Sequence, residues 1–262
     1  MKHILIIIIS FLLLISSCTS QKKLAYLNNL PELSGEESFT MEVPDYKILP
    51  RDILYITAKA MTPEGKIEDF LASTSSSSNS QISLSAESSS YLYGYDVKSD
   101  GTILLPVIGS IKVDRLTLEE ARNLVQASVD KVFRNSTVEC KLLSFKFTVI
   151  GEVRAPATYV NYNNYLTVLE AIGRAGGVSD YGKRDRVLVI RPKEGGSKTF
   201  RLNLQDKNIL ASEAYFLLPN DVVIVEPSNQ KIFNQNLPAF SFFLTITLST
   251  ITTTLLLINY FK

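Results

Sequence analysis

Hydrophobic and polar positions divide this chain into an apolar segment at each end and two patterned modules between them. Ile4 to Ile15 is apolar except for Ser10 and follows Met1-Lys2-His3. A bilayer-spanning helix needs about 20 apolar residues. This shorter run behind a charged start therefore predicts a secretory leader over residues 1–17. At the other end, Ala239 to Phe261 carries no charge and is closed by Lys262, which predicts a membrane-crossing helix over 237–262. At helical spacing, Phe240, Leu244, Leu248, Ile251, Leu255 and Ile258 form one apolar stripe, with Ser241, Thr245, Ser249, Thr252 and Thr253 on a neighbouring flank. One side suits lipid, and the other suits copies of itself or a polar lumen. The alternative is a single-span anchor whose hydroxyls bond back to their own helix.

The middle of the chain repeats its own devices. Tyr46-Lys47-Ile48-Leu49-Pro50-Arg51-Asp52 and Tyr215-Phe216-Leu217-Leu218-Pro219-Asn220-Asp221 share a Leu-Pro-x-Asp turn signal, each followed by a β-rich run. Val107-Ile108-Gly109-Ser110-Ile111 and Val149-Ile150-Gly151-Glu152-Val153 both read as apolar strands interrupted by glycine. A helix follows each of them. Thr117 with Glu120 and Thr167 with Glu170 form the Thr-x-x-Glu capping box. The first helix predicts a buried stripe of Ala121, Leu124, Val125, Val129 and Val132; the second buries Leu169, Ile172 and Ala175 and stops at Gly176-Gly177. Arg186 to Arg191 reads as a further strand and Glu194-Gly195-Gly196 as a turn.

The expected fold class is α+β: two tandem mixed-sheet modules, each packed on one helix, followed by a C-terminal transmembrane helix. The modules span 44–145 and 146–228, behind a polar tether over 18–43. In the segment 73–90, 11 residues are serine, which predicts a surface loop because so little apolar area offsets its ordering entropy.

Composition narrows the chemistry. The chain has one histidine, His3, which leaves with the leader, and two cysteines, Cys18 and Cys140. The mature protein then lacks the histidine of Ser-His and Cys-His nucleophile pairs and of the usual zinc sites, which leaves carboxylate chemistry, lysine chemistry or no catalysis; the expectation is no enzyme, metal or cofactor. A formal charge of +1 gives no pull toward nucleic acid. Glu119-Glu120 reads as capping rather than as a glycosidase pair. Lys183, Arg184, Arg186 and Arg191 read as a solvated basic surface near Asp180 and Asp185. Cys140 reads as a small apolar residue in a strand. Tyr91, Tyr93, Tyr95, Tyr159, Tyr162 and Tyr165 suit sugar stacking, although strands favour tyrosine anyway.

Ile15-Ser16-Ser17-Cys18 resembles the bacterial lipobox, which implies cleavage before Cys18 and its lipidation. Val97-Lys98-Ser99-Asp100-Gly101-Thr102-Ile103-Leu104-Leu105-Pro106-Val107-Ile108-Gly109, with the Leu116-Thr117-x-x-Glu120-Ala121 helix start, resembles the export domain of Wza-type outer-membrane polysaccharide export lipoproteins. Val149-Ile150-Gly151-Glu152-Val153 through Pro156 and Tyr159, then Thr167 to Gly177, Leu202-Asn203-Leu204 and Pro219-Asn220-Asp221, resembles the soluble-ligand-binding β-grasp (SLBB) domain.

The resemblance implies a homo-oligomeric ring, octameric in the best-known member, with its soluble modules in the periplasm. C-terminal helices would line an outer-membrane pore for capsular or exopolysaccharide. An inner-membrane polysaccharide copolymerase, often a tyrosine autokinase, would dock beneath. The chain departs from the pattern in having Pro156-Ala157 in place of Pro-Gly, one SLBB copy, and the serine-rich insert. The competing expectation is a periplasmic glycan-binding or adaptor lipoprotein with a simple C-terminal anchor.

Overall fold

A computed structural model describes residues 25–30, 38–62, 65–71 and 94–260. The leader, Cys18 and the serine-rich stretch 73–90 lie outside the described residues. The first module opens with β1 (Ile53–Met61), and β6 (Ser136–Leu142) pairs antiparallel along one side of it. The short strands β2 (Ile67–Asp69) and β3 (Tyr95–Asp96) share the other side. A separate hairpin, β4 (Thr102–Leu105) with β5 (Gly109–Lys112), completes it. All these pairings are antiparallel, so the mixed sheet belongs to the second module alone.

Helix α1 (Leu118–Val129) begins at the Thr117–Glu120 capping box and covers the sheet. Its Gln126 side chain accepts from the Val138 amide and donates to Ser136, tying helix to strand. Ala121, Val125 and Val129 are buried, but Leu124 and Val132 are exposed. The apolar stripe is therefore narrower than the sequence predicts, because three residues at i, i+4 and i+8 already fill the contact with β6.

The second module orders its strands β10-β9-β11-β7-β8, from β7 (Lys146–Gly151), β8 (Ala157–Val160), β9 (Gly182–Lys193), β10 (Gly196–Leu202) and β11 (Val222–Pro227). Helix α2 (Val168–Arg174) starts at the Thr167–Glu170 box and buries Val168, Ala171 and Ile172. Its C-cap is Ala175, and Gly176 and Gly177 follow at positive φ. Ala157 pairs with Val149 at the start of β8 and is not at positive φ, so this turn has no need of the glycine usual there.

The Val-Ile-Gly resemblance does not extend to structure. Val149 and Ile150 lie in β7, whereas Val107 and Ile108 lie in the turn between β4 and β5, with Val107 at φ 68° and largely exposed. Pro106 has no N–H for a ladder and helps end the first strand there.

Two cores result, one per module, and Leu142 packs against both. The decisive pairing is β11 with β7, which is parallel. The chain enters the second module at Lys146 and leaves it after Pro227. Parallel first and last strands place that entry and exit at opposite ends of the sheet. Helix α3 (Asn229–Tyr260) departs from the exit end, and every described side chain from Ser241 onward is exposed.

Candidate functional site

The two Leu-Pro-x-Asp segments form the same turn. In each, the aspartate carboxylate accepts the leucine amide, Leu49 N–H to Asp52 at 2.9 Å and Leu218 N–H to Asp221 at 2.8 Å. The residue after proline sits at positive φ in both, Arg51 at 77° and Asn220 at 67°, as the third position of a type II turn requires. Each turn also pairs with the lead-in to its module's capped helix: Ile48 N–H donates to Leu116 C=O, and Leu217 N–H donates to Leu166 C=O. The order is inverted between modules. The turn precedes its helix in the first and follows it in the second, so one structural unit appears in two chain orders.

The surroundings of the aspartates differ. Asp52 accepts from the Tyr46 and Ser144 hydroxyls, and Ser144 belongs to the link between modules. Burial beside this carboxylate pushes the Tyr46 phenol far above its ordinary range. Asp221 is fully buried and accepts three bonds from Arg191, whose guanidinium also donates to Phe216 C=O. Burial pushes the Asp221 carboxyl up, against the pull of Arg191 and the Leu218 amide. Arg191 is thus no part of the basic surface expected from sequence. It continues the inward series Val187, Val189, Arg191 of β9, and period-two alternation was the signal that could have found it.

A second cluster lies in the second module, on the side that faces the first. Asn161 is buried and donates to Asn163 C=O and Tyr165 C=O, while its own carbonyl accepts from Arg174. Arg174 also donates to Val160 C=O and stands over the Phe147 ring. These bonds fix the loop 161–165. It presents Tyr162 and Tyr165, 69% and 51% exposed, beside a cavity of about 130 Å³ whose lining includes Tyr46, Asn163, Asn164 and Pro219. Tyr159 belongs to β8, donates to Ala155 C=O and stacks on Phe147, so it is structural. Tyr95 donates to Leu71 C=O, whereas Tyr91 and Tyr93 lie outside the described residues.

At the far end of the second module, Lys231 in the first turn of α3 donates to Glu152, and the Ser179 hydroxyl donates to the other carboxylate oxygen at 2.8 Å. The Lys231 bond holds the Glu152 carboxyl below its usual range. Ser228 N–H donates to Tyr181 C=O, and Asn234 donates to the Tyr181 hydroxyl. This joint was not legible in sequence because its partners are 79 residues apart.

Along α3, a window within Ser241–Tyr260 has mean hydropathy 1.8 and none of it is buried. Thr245, Thr252 and Thr253 each donate to the carbonyl four residues earlier. The remaining candidates are structural. Glu120 caps α1 and Glu119 meets Arg122 on the surface. Cys140 lies in β6, and burial pushes its thiol up to about 11.

Comparison with known proteins agrees with this layout. Residues 41–143 match the family described as polysaccharide biosynthesis/export protein, and residues 145–225 match the SLBB domain. An export module followed directly by an SLBB domain defines a class of polysaccharide export proteins. In this layout the chain is similar to the Wza-type members of that class. The EPS I polysaccharide export outer membrane protein EpsA of Ralstonia solanacearum is 29% identical over 147 residues, covering 53% of this chain and 38% of that one. The protein of the same name from Ralstonia nicotianae is 30% identical over 115 residues, covering 42% and 29%. The matched region therefore spans well under half of either relative.

Proposed function

We propose that this chain is the outer-membrane component of an export path for capsular or exopolysaccharide and has no catalytic role. It is lipidated at Cys18, keeps its two modules in the periplasm, and assembles as a homo-oligomeric ring. The C-terminal helices of the ring line the pore, and an inner-membrane polysaccharide copolymerase docks at the end distal to the membrane. The observation that carries this reading is the exit of an unburied apolar helix from the end of the SLBB sheet opposite the export module. This layout supports a reading in which one module faces the outer membrane and the other faces the inner membrane. The names of the relatives support the polymer class and the membrane.

The adaptor reading has its own support. Threonine hydroxyls bonded to their own helix are satisfied without a lumen or a neighbour. Two experiments separate the readings. Detergent-extracted full chain should be a closed oligomer by mass measurement, and a monomer would leave the adaptor. Deleting 239–262 should remove polymer from the cell surface, and continued secretion would mean that the helix only anchors. Cys18→Ala should abolish acylation and processing; unchanged processing would remove the lipid anchor from the proposal.

A further inference from the structure

The segment just after the expected lipid site does not stand free of the fold. Leu27 N–H donates to Leu204 C=O at 3.0 Å, and Asn28 N–H to Gln205 C=O at 2.8 Å. The Asn29 side chain donates to Asp206 at 3.0 Å and accepts from the Lys207 amide at 2.7 Å. Leu27 packs against the SLBB core, and the Arg184 guanidinium stands over the Tyr26 ring at 5.7 Å. Four residues in succession thus meet one surface through backbone, amide, apolar and aromatic contacts. The expectation of a plain polar tether over 18–43 does not anticipate this, because the receiving residues lie some 177 positions away.

We infer that Tyr26–Asn29 is a strap: a docking segment that fastens the N-terminal lipid anchor to the SLBB domain, on the surface formed by Arg184 and Leu204–Lys207. This rests on the proposed lipidation of Cys18. Arg184 is three residues beyond Tyr181, which holds the root of α3, so strap and helix attach to the same end of the domain.

Chain length shows what the strap does. From Cys18 to Tyr26 are eight residue steps, which reach at most about 28 Å at ~3.5 Å per step. Without the strap, the next fixed point is Lys47, which bridges to Thr117 in the first module. The same lipid would then act on a leash of about 100 Å. The first twelve residues of α3, 229–240, rise about 18 Å before the span Ser241–Tyr260 begins. A 28 Å leash exceeds that stand-off by only about 10 Å, whereas a 100 Å leash would impose nothing. The strap makes the lipid a second fastening on the end that already carries the helix.

Hydrogen–deuterium exchange on the full chain in detergent tests this. The Leu27 and Asn28 amides should exchange at least about tenfold slower than an unstructured chain. The double variant Tyr26→Ala, Asn29→Ala should return both to the unstructured rate while β9 and β11 stay protected. Unstructured rates in the unaltered chain, or protection that survives the double variant, would overturn the strap. The mass of the mature N-terminus, read from the same sample, reports acylation separately. An unacylated Cys18 would overturn the fastening role, even with the strap docked.

Discussion

Lys231 and Glu152 form an ion pair across the joint between the SLBB domain and the C-terminal helix, with Ser179 holding the second carboxylate oxygen. The pair ties the helix root to the residue immediately after Gly151. The orientation of the helix is therefore set by the sheet rather than by the helix itself.

This joint should be sensitive to acid. The Glu152 carboxyl is held below its ordinary value of 4.5, chiefly by the Lys231 bond. A depressed carboxylate contributes fully above that ordinary value and is lost as pH falls through the lower folded one. The joint should therefore hold at neutral pH and loosen only as the pH falls below the ordinary carboxylate range. Glu152→Gln should produce the loosened state at pH 7, seen as faster exchange of the Lys231 amide with the SLBB strands unchanged. Equal exchange in both proteins would assign the joint to the backbone bond from Ser228.

The buried Arg191–Asp221 pair should be the costlier of the two turn sites to break. Arg191→Met leaves a fully buried carboxylate without its cation, which costs about 3–5 kcal/mol. At Asp52 the side-chain partners are neutral hydroxyls, and Asp52→Asn should cost about 1–2 kcal/mol. Urea unfolding of the full chain in detergent compares them, and a larger loss at Asp52 would reverse the assignment.

Gly151 has no room for a methyl group. A Cβ there would lie 2.2 Å from Val225 C=O, and φ is +88°. Gly151→Ala should destabilise by at least about 2 kcal/mol, because both the strained backbone and the β7–β11 contact resist it. Gly177 also has positive φ but open space around its Cβ position, so Gly177→Ala should cost about 1 kcal/mol. Thermal unfolding distinguishes backbone strain from the steric clash.

The loop held by Asn161 should contact polymer. Tyr162→Ala and Tyr165→Ala should weaken retention of fragmented, cell-derived exopolysaccharide, each by about fivefold, a typical loss for one aromatic contact. Melting temperature should change little at Tyr162, the more exposed ring. Asn161→Ala should cost both stability and retention, because it frees the loop that carries both rings. Undiminished retention in the tyrosine variants would remove this surface from the export path.

Local pattern alone determined a good deal of this protein. The two capping boxes, the glycine stop after Ala175 and the paired Leu-Pro-x-Asp turns are each decided within a few residues, so short-range sequence carries them. The export and SLBB motifs were legible for the same reason. Tertiary structure decided what depends on distant partners. It placed Arg191 beside Asp221 instead of in solvent, Lys231 on Glu152, and Tyr26–Asn29 on Leu204–Lys207. It also put Val107 in a turn and narrowed the face of α1, since burial depends on what packs opposite. Above all, the parallel pairing of β7 with β11 separated the export module from the C-terminal helix. Strand direction follows from how the whole sheet closes, and no run of residues within either strand specifies it.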